Sequence, residues 1–219
     1  MKTFFASAQD PMSCSTHTLG ALAALVGGAA MLLRAIYDET SVLALAAAMC
    51  FVLSLLALYA ASAIYHFYPG TVASGGVKRF LRKMDHSMIY VLIAGSYTPF
   101  CMVLLPQPKG GRFCAVLWGI AILGVILKLV WINAPRILST VFYLLMGWAV
   151  VFVLKDFAAV GFPCVLLVAA GGVCYSVGAV LYVVKWPNIN SDWTFHEVFH
   201  LLILAGSFFH YMAVFFCVL

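Results

Sequence analysis

Seven apolar runs, each long enough to cross a lipid bilayer, follow one another along this chain of 219 residues. The hydrocarbon core of a bilayer requires about 20 residues of helix. Of the residues, 65% are hydrophobic and only 9% are charged, whereas about a quarter of a soluble domain is charged. The sequence therefore predicts an all-α integral membrane protein, a bundle of seven transmembrane helices. The runs cover roughly residues 19–37, 41–66, 85–105, 113–132, 137–154, 162–184 and 196–218.

The segments between the runs are short and leave no room for a soluble domain. Residues 1–18 are polar and carry little basic charge ahead of the first run. We therefore interpret 19–37 as a retained helix and not as a cleaved signal peptide. This divides the chain into a cytoplasmic N-terminal segment, 1–18, and a seven-transmembrane-helix domain, 19–219. The seven cysteines include no Cys-x-x-Cys pair, so we interpret them as small packing residues and expect no disulfide framework.

Lysine and arginine predict the orientation in the membrane, because they are enriched in cytoplasmic loops. The side of the N-terminus has the larger set, and the N-terminus is therefore expected in the cytoplasm. The net charge of +5 indicates anionic lipid headgroups as partners, and not nucleic acid. No protein partner is indicated. The larger set is Lys2, Lys78, Arg79, Arg82, Lys83, Lys128, Arg136 and Lys185, and the smaller set is Arg34, Lys109, Arg112 and Lys155.

Two histidines, His196 and His200, stand four residues apart at the start of the seventh run, so one helix face carries both. In this topology the second run ends and the third and seventh begin on the cytoplasmic side, which brings His66 and Asp85 to a similar depth. Three neutral imidazoles plus water form a suitable Zn²⁺ site with an open position. Asp85 and Ser62, which shares a helix face with His66, would then orient or deprotonate the bound water.

Simpler interpretations exist for the same residues. An intramembrane histidine can be a structural group with a hydrogen-bond partner. Asp85, expected in the first turn of the third helix, could cap that helix or pair with Arg82. Ser62 could hydrogen-bond to its own helix. His210 is expected about 15 Å further along the axis than His200, where hydrogen bonding between helices is the favoured role.

The segment His196-Glu-Val-Phe-His200 also matches H-E-x-x-H, the metalloprotease motif in which the glutamate is the general base. Glu197, however, points about 100° away from His196 around the helix, and no third protease ligand motif is present. We therefore favour an interhelical or headgroup-level polar role for Glu197. His17 and His86 could also approach the site.

Three longer motifs occur together in the chain: Ser62-x-x-x-His66, Asp85-His86 followed by Ile89-Tyr-x-Leu-Ile-Ala-Gly-Ser-Tyr-Thr-Pro-Phe100, and His196-x-x-x-His200 with Ala205-Gly-Ser-x-x-His210. In combination they resemble the hemolysin III family, the bacterial branch related to the progestin and adipoQ receptors and, more distantly, to the alkaline ceramidases. The resemblance covers nearly the whole chain. It implies a seven-helix fold with zinc held by His66, His196 and His200, and Asp85 and Ser62 in contact with the zinc-bound water.

Two functions are compatible with such a site. The first is zinc-dependent hydrolysis of a lipid amide or ester whose substrate enters laterally between helices. The second is a non-catalytic, receptor-like protein of membrane homeostasis with a structural zinc. The family name suggests cytolysis, but an integral seven-helix protein without an amphipathic, water-soluble form is poorly suited to act as a secreted pore. We expect a multi-pass protein of a bacterial plasma membrane.

Overall fold

The computed structural model describes residues 5, 7–73 and 75–219. In these ranges the chain is helical and forms no β-strand. A π-helical turn, Phe100–Leu104, continues α3, and a 3₁₀ segment, Trp148–Val153, joins α5 to α6. Seven helical segments are long and apolar enough to cross a membrane, which confirms the predicted fold class. The α-helices are α1 Pro11–Tyr37, α2 Val42–Phe67, α3 Gly76–Pro99, α4 Lys109–Val130, α5 Arg136–Gly147, α6 Leu154–Ala158, α7 Phe162–Val184 and α8 Phe195–Cys217.

Helix packing brings the two ends of the chain together. Helix α1 packs along α2, α2 along α3, α3 against α4, and α7 along α8, while α8 returns to pack against α1. The core between these helices includes Met31, Phe51 and Tyr59, whose side chains are almost completely buried. As a result, the start of α1, the end of α2 and the start of α8 lie at one end of the bundle.

The first helix begins earlier than hydropathy predicted. Helix α1 starts at Pro11, whereas the apolar run starts at residue 19. Proline is well suited to the first helical position, because its fixed φ matches the helix and its missing N–H would have no intrahelical partner there. The polar residues of this additional stretch, Ser13, Thr16 and His17 among them, are buried. Hydropathy missed these turns because their polar side chains face the bundle.

The third helix also begins earlier than predicted. Helix α3 starts at Gly76 and not near residue 85, so the basic cluster that includes Arg82 lies on the helix and not in a loop. Asp85 is consequently two turns or more inside α3, and the prediction that it lies in the first turn is wrong. The favourable field of a helix N-terminus is confined to the first turn, so capping of α3 does not explain Asp85.

Candidate metal centre

Three histidines from distant parts of the sequence converge at one end of the bundle. His66 is the penultimate residue of α2, and His196 and His200 lie in the first two turns of α8. One ring nitrogen of each lies within 4.8 Å of the others. His66 and His200 are buried and His196 is partly buried. Among the residues that the structure describes, this is the one such group of three or more potential metal ligands.

The spacing of the ring nitrogens fits a metal ion. His66 Nε2 and His196 Nε2 are 3.3 Å apart. Two nitrogens bound to one zinc ion at about 2.0–2.1 Å with a tetrahedral angle are about 3.3–3.4 Å apart. His200 completes a set of three imidazoles, which is a ligand set used by catalytic zinc sites. The donors therefore fit a metal ion of the zinc type, with three protein ligands.

The first turn of α8 is fixed by its own cap. Thr194 Oγ1 accepts a hydrogen bond from the His196 backbone N–H at 3.2 Å. Glu197 Oε2 accepts hydrogen bonds from the backbone N–H and the hydroxyl of Thr194, at 2.9 and 2.6 Å. This reciprocal arrangement is a capping box, which stabilises the first turn. Glu197 Oε1 also accepts a hydrogen bond from Ser13 Oγ of α1, at 2.6 Å, so the expected interhelical role of Glu197 is confirmed.

Asp10, the residue immediately before α1, contacts His66. Its Oδ2 lies 2.9 Å from His66 Nδ1, and its backbone N–H donates to the carbonyl oxygen of His66 at 3.0 Å. The hydrogen bond from His66 holds the pKa of the Asp10 carboxyl below its usual value, so the carboxylate is an acceptor at neutral pH. His66 then carries its proton on Nδ1, which leaves the Nε2 lone pair for a metal.

Thr16 contacts the second buried histidine from α1. Its Oγ1 lies 3.2 Å from His200 Nδ1 and donates its hydrogen to the carbonyl oxygen of Ser13 at 2.9 Å. A hydroxyl has one hydrogen to donate. In its contact with His200, Thr16 is therefore the acceptor, and His200 Nδ1–H is the donor. His200 Nε2 then carries the lone pair.

Ser62 lies on α2, the helix that carries His66, and Asp85 lies on the neighbouring α3. The Asp85 carboxylate, whose side chain is 15% exposed, lies within electrostatic reach of His66 and close to Ser62. Within the described part of the chain its one ion pair is a long one, 4.0 Å to His86 Nε2, and not the alternative pair with Arg82. The roles of Asp85 and Ser62 stay predictions.

The Ser62 hydroxyl has unused hydrogen-bonding capacity. Ser62 is buried, and its Oγ has no hydrogen-bond partner among the described residues. The alternative in which it bonds to its own helix is therefore not observed. The hydroxyl lies close to the Asp85 carboxylate and one helical turn from His66, and it is available to bond a molecule at the candidate site.

The remaining histidines have different environments. His17 stacks on His200, with ring centroids 3.6 Å apart and an interplanar angle of 7°, and it is not one of the three convergent ligands. His86 is partly buried beside Asp85. His210 Nε2 lies 3.2 Å from the carbonyl oxygen of Val168 on α7, which confirms its expected role between helices.

Sequence reasoning did not find Asp10 or Thr16. Asp10 precedes Pro11, a pattern that predicts a helix N-cap, yet its side chain makes no capping hydrogen bond to α1 and contacts His66 instead. Thr16 lies in a polar stretch that hydropathy placed outside the membrane. The available signal was the concentration of polar residues directly before the first apolar run.

Comparison with known proteins agrees with this architecture. The family model described as Haemolysin-III related matches residues 5–211. The chain belongs to the haemolysin III family. It is 32% identical to Hemolysin-3 of Bacillus cereus over 208 residues, which is 93% of this chain and 87% of that protein. It is 36% identical to the Hemolysin-3 homolog of Bacillus subtilis (strain 168) over 173 residues, 77% of this chain and 74% of that one.

An animal protein is also similar to this haemolysin III family member. Monocyte to macrophage differentiation factor of Homo sapiens is 24% identical over 206 residues, 92% of this chain and 81% of that protein. Together with the seven membrane-length helices, the bacterial relatives identify a multi-pass protein of the plasma membrane, as the sequence predicted.

Proposed function

We propose that this haemolysin III family protein is a zinc-dependent hydrolase of membrane lipids. The observation that carries the proposal is the convergence of three imidazoles, with two Nε2 atoms at 3.3 Å, beside a carboxylate and an unpartnered buried hydroxyl. The ligand set has three protein members, and a site of this kind keeps a position for water. A structural zinc usually has four protein ligands.

The protein's own residues have separate roles in the proposed reaction. Zn²⁺ in a three-histidine site supplies an activated water near neutral pH and polarises a carbonyl oxygen. Ser62 orients the attacking water by a hydrogen bond, and Asp85 accepts the proton that the water loses as its oxygen bonds to the carbonyl carbon. The C–N or C–O bond then breaks, and Asp85 returns the proton to the leaving amine or alcohol. The products are a fatty acid and an amine or alcohol.

The position of the site suits a lipid substrate. The histidines lie near the ends of membrane-length helices. Since such a helix spans the hydrocarbon core, its ends fall near the headgroups and the first acyl carbonyls. A lipid could reach that depth laterally between helices without leaving the bilayer. With the N-terminus in the cytoplasm, the reacting headgroup belongs to the cytoplasmic leaflet.

The first experiment measures zinc. Elemental analysis of detergent-purified protein is expected to give about one zinc per chain, and His66→Ala and His196→Ala are expected to remove it. His210→Ala is the matched control, because His210 lies on the same helix as His196 but bonds Val168 O, and it should retain zinc. A well-folded parent without zinc would refute the proposal.

The second experiment separates a hydrolase from a non-catalytic zinc protein. Asp85→Ala removes the proposed proton acceptor without removing a ligand. We expect it to retain zinc and to lose hydrolysis of ceramide or phospholipid by at least about 100-fold, the lower end of general base contributions. A zinc-loaded parent that releases no fatty acid would favour the second candidate, in which zinc joins α2 to α8 structurally.

Cytolysis is the property named in the bacterial relatives' designations. The seven membrane-length helices of this chain offer no water-soluble form for a secreted pore. The two experiments above address the metal site directly and do not depend on that property.

A further inference from the structure

The N-terminal end of α1 and the residue before it contribute two side chains that contact the predicted metal ligands on the ring nitrogen opposite the proposed metal. Asp10 contacts His66 and Thr16 contacts His200, in both cases through Nδ1. Each contact leaves Nε2 as the ring nitrogen available to a metal. The two contacts come from one short segment at the start of α1, and they reach two different helices, α2 and α8.

Asp10 is held against His66 by two hydrogen bonds. Besides the carboxylate contact at 2.9 Å, its backbone N–H donates to His66 O at 3.0 Å. The preceding residue is also bonded to the end of α2, because the Gln9 backbone N–H donates to Phe67 O at 3.3 Å. Although the Asp10 side chain is 44% exposed, its backbone is therefore anchored to the end of α2. The side chain of an aspartate before a helix usually accepts a hydrogen bond from the first turn. The Asp10 side chain makes no such bond and contacts His66 instead.

The hydrogen bonds of Thr16 determine which ring nitrogen of His200 carries the proton. Its only hydroxyl hydrogen goes to Ser13 O, so the lone pair that faces His200 can only accept. Among the two neutral tautomers of His200, this contact stabilises the one with Nδ1–H. Metal-binding histidines characteristically donate the other ring N–H in this way, which fixes the tautomer and the ring orientation.

We infer that Asp10 and Thr16 are positioning residues of the metal centre, which hold His66 and His200 in the tautomer and orientation that present Nε2 to the ion. This inference rests on the proposed zinc site and extends it to α1. The segment that hydropathy excluded from the membrane domain is then part of the functional site, and correct folding of α1 is required for tight metal binding.

The test is the zinc affinity of metal-stripped, detergent-purified protein, measured by competition with a fluorescent zinc chelator. Asp10→Ala and Thr16→Val are each expected to weaken zinc binding 10- to 100-fold, the range found when such supporting hydrogen bonds are removed. Asp10→Asn and Thr16→Ser retain an acceptor oxygen and are expected to bind zinc several-fold more tightly than Asp10→Ala and Thr16→Val respectively.

Ser15→Ala is the matched control. Ser15 is adjacent to Thr16 and similarly buried, and among the described residues its hydroxyl bonds only to its own helix, at Pro11 O. We expect parent-like zinc affinity for Ser15→Ala. Thermal unfolding of the metal-stripped proteins is the second measurement. Both variants lose one hydrogen bond within α1, and Thr16→Val also leaves the buried His200 Nδ1–H without its acceptor, so its midpoint should be the lower of the two.

The outcomes separate this inference from the proposed function. A parent without zinc refutes the proposed function itself. If the parent binds zinc and both Asp10→Ala and Thr16→Val bind it as tightly as the parent does, only the positioning role is refuted. An equal loss in Ser15→Ala, or in Thr16→Ser, would also refute it, because the effect would then come from packing. Should Asp10→Ala not fold, the Thr16 series decides.

Discussion

At the residue scale, Glu197 shows why a motif has to be interpreted with its contacts. Its spacing from His196 and His200 matches a metalloprotease, yet both carboxylate oxygens are occupied, one by Thr194 and one by Ser13. A carboxylate that caps its own helix and bonds a second helix is held away from the ligand nitrogens. The same two hydrogen-bonded partners explain why this charged residue is tolerated at a buried position.

Glu197→Ala is therefore expected to change stability and not metal binding. It removes the capping box and leaves the buried Ser13 hydroxyl without its acceptor, and each loss costs about 1–2 kcal/mol. Thermal unfolding in detergent should show a lower midpoint than in the parent, with unchanged zinc content. For comparison, Glu197→Gln keeps the shape and one of the two acceptor oxygens, and should be milder. If Glu197→Gln lost lipid hydrolysis with unchanged stability, Glu197 would instead act as a general base, as the glutamate of the H-E-x-x-H motif does.

At the element scale, close helix contacts depend on single glycines. Two of these glycines, Gly95 and Gly206, lie in the two Ala-Gly-Ser segments of the sequence. Gly95 of α3 lies against α2, where an added Cβ would fall 2.5 Å from Ser54 Cβ and collide with Ser54 Oγ. Gly206 of α8 likewise lies against the Tyr175 ring of α7. Small residues at such positions let transmembrane helices approach closely.

Gly95→Ala is expected to force α2 and α3 apart. Overpacking of this kind costs about 1–3 kcal/mol, so the unfolding midpoint in detergent should fall. Gly119→Ala in α4 is the control, because a Cβ there meets nothing within 4 Å, and the higher helix propensity of alanine should leave stability unchanged or raised. Equal unfolding midpoints for the two variants would mean that the α2–α3 contact is looser than the structure indicates.

The limits of hydropathy explain why the starts of two helices were predicted incorrectly. Hydropathy follows the lipid-facing surface, and it located all seven spans because each has such a surface. It cannot recognise turns whose polar side chains are turned inward, as in the first turns of α1, or basic turns near the headgroups, as at the start of α3 around Arg82. Both helices were therefore predicted too short at the same end of the bundle, which is where the histidines lie.

At the scale of the whole molecule, the three histidines could be predicted to meet because the alternation of spans places the end of α2 and the start of α8 at one depth. Depth does not specify neighbours around the bundle. The packing of α1 against α2 brings Asp10 to His66, and the packing of α1 against α8 brings Thr16 to His200; no local pattern encodes these contacts. The convergence of the three histidines was therefore accessible to sequence reasoning, whereas the contacts of Asp10 and Thr16 with them required the fold.

The topology also predicts on which side of the membrane the candidate metal centre lies. Alkaline phosphatase requires disulfides that form in the bacterial periplasm and not in the cytoplasm, so it reports which side a fusion point occupies. With the N-terminus in the cytoplasm, phosphatase fused after Glu39, between α1 and α2, should be active, and phosphatase fused after Ala73, between α2 and α3, should be inactive. A fusion after Leu219 should be active.

These fusion points form an internal control, because Glu39 and Ala73 flank the same helix and must give opposite results if α2 crosses the membrane. Equal activities would contradict the span itself. The reversed pattern would keep the seven spans but move His66, and with it the site, to the outer leaflet. The proposed hydrolase would then act on a different lipid pool, and the excess of basic residues near the start of α3 would be an exception to the rule that such residues face the cytoplasm.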